Sequence, residues 1–68
     1  MPKKVRELKA LLRKVGFTCR PGKGSHTVWD HPLLQGRPIV LSGNDGRDAR
    51  RYQEERVIAA IREVEKQS

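Results

Sequence analysis

Five consecutive residues, Gly22-Lys23-Gly24-Ser25-His26, combine the groups that chemistry on a phosphate ester would use. Two glycines let a backbone approach a phosphate closely, Lys23 brings a point charge, Ser25 a hydroxyl, and His26 a ring that exchanges protons near neutral pH. The same run also reads as a surface hairpin carrying an incidental histidine, and on the chemistry alone both readings stand. Cys19, Asp30 and His31 lie close by in sequence, but they form no Cys-pair or His-Glu helical spacing, so no metal site and no cofactor are expected. Ser25, His26 and Asp30 cannot make a catalytic triad, because neighbours along one strand cannot meet in that geometry. Cys19 is expected in the core, and His31, beside Pro32, is expected to end a strand through a local hydrogen bond.

A second basic group, Arg47, Arg50 and Arg51, follows the turn formers Ser42-Gly43-Asn44-Asp45-Gly46. That turn lacks the spaced oxygens and closing Glu of a calcium loop. The three arginines fall at the start of a predicted helix, whose dipole favours anions, so together they could hold a phosphate. A solvated basic face that offsets Glu54 and Glu55 is the equal alternative.

The elements that must position these residues are legible from periodicity. From Lys3 to Val15, the apolar residues Val5, Leu8, Leu11, Leu12 and Val15 recur at steps of three and four, predicting an amphipathic helix that Gly16 stops. Phe17 to Arg20 predicts a strand, Pro21 to Gly24 a turn, and about His26 to His31 a second strand that Pro32 ends. Pro38 to Ser42 predicts a third strand, and Asp48 to Glu65 a second helix. The fold class expected is therefore α+β: two helices on one face of a three-stranded antiparallel sheet, in one domain over residues 1–68.

Strand alternation places Thr27, Trp29 and His31 on one face and His26, Val28 and Asp30 on the other. Trp29 is the largest apolar residue nearby and is expected to point at the helices, which sends His26 to the open face. An exposed Trp29 that stacks a base is the other option.

The 68 residues carry fifteen Lys and Arg against eight Asp and Glu, a formal net charge of +7. Such a surface suits a polyanion, nucleic acid before an acidic protein. The helices are separated by strands, so no helix-turn-helix is visible and a DNA-binding reading has no motif behind it. Arg6, Glu7 and Lys9 interrupt the first apolar stripe, which argues against a signal peptide or membrane span. With Cys19 the only cysteine, a reducing cytoplasm is the expected compartment.

Element order, the opening Val15-Gly16-Phe17, and the run Gly24-Ser25-His26 followed by Trp29 and His31-Pro32 together resemble the HicA, or YcfA-like, toxins over nearly the whole chain. The resemblance implies a double-stranded-RNA-binding fold, cleavage of mRNA by the histidine of the Gly-Ser-His run, and neutralisation by a HicB-like antitoxin. Carried over by position, His26 alone inherits the catalytic role, and Lys23, Gly24 and Ser25 match the loop that frames it. This chain departs from many members by having Thr27 and Val28 after that histidine, a longer second helix, and the stretch Asp45 to Arg51. RNA supplies its own nucleophile in the ribose hydroxyl, so a protein can cut it without metal by moving that proton and stabilising charge at phosphorus. Lys23 is the cation expected beside His26 for that purpose. The alternative is a non-catalytic RNA-binding module of the same fold.

Overall fold

The computed structural model describes residues 3–67. Helix α1 spans Val5–Lys14, and the three strands are β1 (Thr18–Pro21), β2 (Thr27–Asp30) and β3 (Ile39–Leu41). A short 3-10 helix, Pro32–Leu34, joins β2 to β3, and helix α2 runs Arg51–Gln67. The sheet is antiparallel in the order β1-β2-β3, with Cys19 opposite Trp29 and Trp29 opposite Ile39. The helix-strand-strand-strand-helix α+β fold read from the sequence is the one observed.

The end of α1 follows from Gly16. Its φ of 99° is open to glycine, and there the Gly16 amide donates to the Arg13 carbonyl and the Phe17 amide to the Leu12 carbonyl. This paired closure satisfies carbonyls that the last turn would leave bare, and it delivers Phe17 to the core beside Leu12. At its other end, α1 is satisfied from far along the chain. The Val5 amide donates to the Arg47 carbonyl at 2.9 Å and the Arg6 amide to the Asp45 carbonyl at 3.2 Å. Within the helix, the Glu7 carboxylate reaches back to the Lys4 amide.

Both helices and the inner face of the sheet share one apolar cluster, built on Val5, Leu8, Leu12, Phe17, Trp29, Leu41 and Val57. Trp29 is fully buried, and its indole N–H donates to Thr27 Oγ1 at 2.9 Å, so the polar edge of the ring is satisfied inside the core. Trp29 thus points inward, as strand alternation requires. The outer face carries Val28, half-buried, and Val40, exposed, with an Arg20–Asp30 ion pair at 2.8 Å.

Three expectations are corrected. Cys19 lies on the helix side of the sheet, opposite Trp29, yet it is exposed: β1 is an edge strand and all four of its residues stay exposed. The second helix begins at Arg51 rather than Asp48, because Asp48 pairs with Lys4 in an isolated bridge and the Ala49 amide donates to the Lys3 carbonyl. Those contacts hold the segment extended. His26 lies just before β2 rather than inside it, since its amide and ring are both committed to the preceding turn.

Candidate active site

The hairpin between β1 and β2 is closed by the Gly22 amide donating to the His26 carbonyl at 2.9 Å. Inside it, the His26 amide donates to the Lys23 carbonyl, making a four-residue turn whose second residue, Gly24, has a φ of 57°. Gly22 faces His26 so closely that a Cβ there would sit 3.1 Å from the His26 carbonyl oxygen. The glycines of this run therefore shape the turn that presents the histidine.

His26 Nδ1 lies 2.9 Å from the Lys23 carbonyl oxygen. A carbonyl only accepts, so Nδ1 must carry the proton, and in the neutral ring Nε2 is left with the lone pair. The His26 side chain is exposed. It borders an open cleft of about 420 Å³, whose walls are Lys9 of α1, the hairpin residues Pro21, Ser25 and Thr27, and Asn44 and Asp45 of the β3–α2 loop. The histidine thus sits at the end of the sheet, on a cleft it shares with α1 and that loop, and not on the open sheet face. Alternation could not place it because it precedes the strand.

Ser25 ties the two loops together. Its Oγ accepts from the Gly43 amide at 3.3 Å, and its side chain borders both the His26 cleft and a second one of about 190 Å³. Arg47 and Arg50 line that second cleft with Ser42 and Gln53. Gln53 is buried at the start of α2, where its carbonyl accepts from the Arg50 amide and its amide donates to Ser42 Oγ at 2.9 Å. This is half of a helix-start capping box, and it locks the end of β3 to the start of α2.

The residues singled out from the sequence divide accordingly. His26, Gly24 and Ser25 meet in the first cleft, and Arg47 and Arg50 stand in the second, across Ser25. Both arginines precede α2 rather than lying on it. Arg51, on the first turn of α2, pairs with Glu55 at 3.3 Å and borders neither cleft. Lys23 contributes its carbonyl to His26, while its side chain is not part of the cleft wall. Sequence reasoning missed Lys9. Its side chain is mostly buried, with 15% exposure, and its ammonium donates to Asp45 Oδ1 at 2.6 Å. Lys9 holds the Asp45 carboxyl below its ordinary value through that hydrogen bond and its charge, with Arg13 and Arg6 adding to the effect.

His31 stands apart from this site. Its Nδ1 accepts from the Leu33 amide at 3.0 Å, its Nε2 donates to the Val15 carbonyl at 3.0 Å, and its ring packs edge-on against Phe17. It caps the 3-10 helix, as its place beside Pro32 suggested. Among the described residues, no three His, Cys, Asp or Glu side chains converge to hold a metal, and no helix is long and apolar enough to cross a membrane.

No curated protein and no solved structure matches the chain. A family model does: that of the HicA toxin of bacterial toxin-antitoxin systems, over residues 5–66. The match runs from the first residue of α1 almost to the end of α2 and includes every wall of the cleft, and the chain therefore belongs to the HicA toxin family.

Proposed function

We propose that this toxin is a metal-independent endoribonuclease that cuts mRNA with His26 and is neutralised by a HicB-like antitoxin. The observation that carries the reading is the Nδ1 contact of His26 with the Lys23 carbonyl, which leaves Nε2 as the nitrogen able to exchange a proton at the cleft. Nε2 takes the proton of the ribose 2′-hydroxyl, the 2′ oxygen attacks phosphorus, and the bond to the 5′ oxygen breaks. The products are a 2′,3′-cyclic phosphate and a 5′-hydroxyl, whose proton comes from water. Lys23, Gly24 and Ser25 shape the turn, and Arg47 and Arg50 take backbone phosphates beyond Ser25. Arg51, outside both clefts, adds only to the basic field that attracts RNA.

Incubating the folded protein with a generic transcript, with and without a strong chelator, tests this. Cleavage is expected in both conditions, and His26→Ala should slow it by about a hundred- to ten-thousand-fold while leaving RNA affinity largely intact. Binding without cleavage by the wild-type protein would mean a non-catalytic RNA-binding module. Cleavage by folded His26→Ala at the wild-type rate would remove the assignment of His26.

A further inference from the structure

We propose that Lys9 is a second catalytic residue, the cation that holds the scissile phosphate beside His26, and that Asp45 is the positioning residue that fixes its ammonium in the cleft. The proposal rests on the ribonuclease reading above, and it moves the phosphate-binding charge from the hairpin to helix α1.

The hairpin does not bring a cation to the cleft, since the Lys23 side chain lies outside its wall. Lys9 does, from the opposite side. A lysine stem normally carries its charge out into water, but Lys9 is held mostly buried with its ammonium on a carboxylate. Asp45 is itself held twice against α1: its carbonyl accepts from the Arg6 amide, and its carboxylate takes Lys9, one turn further along the same helix. An ammonium has three N–H groups, so one can go to Asp45 while the others remain for phosphate oxygens. Fixed in this way, the charge needs no reorganisation as the negative charge grows at phosphorus. The hydrogen bond from the Gly43 amide to Ser25 Oγ ties the loop that holds the cation to the turn that holds the imidazole.

Lys9→Met, Lys9→Arg, Asp45→Asn and, as a distant control, Lys66→Met test the assignment. Two measurements are made: kcat and KM on a cleavable transcript, and affinity for a 2′-O-methyl oligoribonucleotide, which offers phosphates but no attacking hydroxyl. Lys9→Met should lower kcat by about a hundredfold, more than it weakens binding, because it removes charge stabilisation from the transition state. Lys9→Arg should recover much of that loss. Asp45→Asn removes a negative charge from the cleft, so it should bind the blocked oligonucleotide at least as tightly as wild type while kcat falls several-fold. Wild-type kcat in Lys9→Met, or a raised kcat in Asp45→Asn, overturns the proposal.

If the wild-type protein cuts nothing, the ribonuclease reading fails by itself. Lys9 as a phosphate ligand is then judged on the blocked oligonucleotide alone. It stands if Lys9→Met weakens binding more than Lys66→Met, and falls if the two are equal.

Discussion

The Nε2 of His31 donates to the carbonyl of Val15 at 3.0 Å, fastening the chain just after β2 to the residue that closes α1. Because Nδ1 of the same ring accepts from the Leu33 amide, the imidazole is neutral with its proton on Nε2. The two histidines thus carry opposite tautomers: His26 is protonated on Nδ1 and His31 on Nε2.

His31→Ala should accordingly damage stability and spare catalysis. It strips the Val15 carbonyl and the Leu33 amide of their partners and removes the ring from Phe17, a loss of about 2 kcal/mol by the usual cost of unsatisfied polar groups. Urea denaturation should show the loss, while kcat measured well below the melting temperature should match wild type. A drop in kcat comparable to that of His26→Ala would show that the separation of the two histidines is misread.

Ser25→Ala tests the tie between the loops. The hydrogen bond is exposed, so the stability change should stay within about 1 kcal/mol. Cleavage should fall several-fold, because the Asp45 loop would no longer be fixed to the His26 turn. Ser25→Thr, which keeps the hydroxyl, should restore activity. If Ser25→Ala cleaves normally, the contact plays no part in assembling the cleft.

Acid should weaken the Lys9–Asp45 contact. The folded-state carboxyl titrates below its ordinary value of 3.8, so this pair contributes stability above that value and loses it as the pH falls through the lower, folded-state one. The difference in urea midpoint between wild type and Asp45→Asn should therefore be present at neutral pH and shrink in strong acid. A difference that grows on acidification would reverse the sign.

Association with the antitoxin should slow as salt rises. A chain with a net charge of +7 is most simply blocked by an acidic surface, and screening reduces the encounter rate of opposite charges. Stopped-flow association at low and high salt measures this. Equal rates would mean that the interface is not steered by charge.

Periodicity was enough for α1, the three strands and the inward Trp29, since each depends on residues adjacent in the chain. Gly16 marked its stop because only a glycine sits easily at that φ. What escaped depends on the partner that a residue meets. Cys19 has the same place opposite Trp29 that a core residue would have, but edge or centre is a property of sheet order, which alternation does not encode. Asp48 has helical spacing, and its pairing with Lys4 overrode it. Lys9 counted only as a charge interrupting the first apolar stretch, and the carboxylate that holds it comes from a loop beyond the whole sheet. In the hairpin, the local sequence showed the glycine turn with a histidine at its end, whereas the orientation of the Lys23 side chain follows from the turn they make.

The carbonyls of Asp45 and Arg47 that satisfy the first amides of α1 also set an order of assembly. Helix α1 is made before its acceptors, so it begins with bare donors and is satisfied only after the chain has passed residue 47. A nascent chain that stops within β3 already contains His26, but it lacks Asp45, the Gly43 amide that binds Ser25, and the arginines of the second cleft. Closing so long a loop is a late, non-local event in folding. A toxin arranged in this way has no finished cleft until the β3–α2 loop and its arginines have been made, and an antitoxin already present can meet it as the cleft closes.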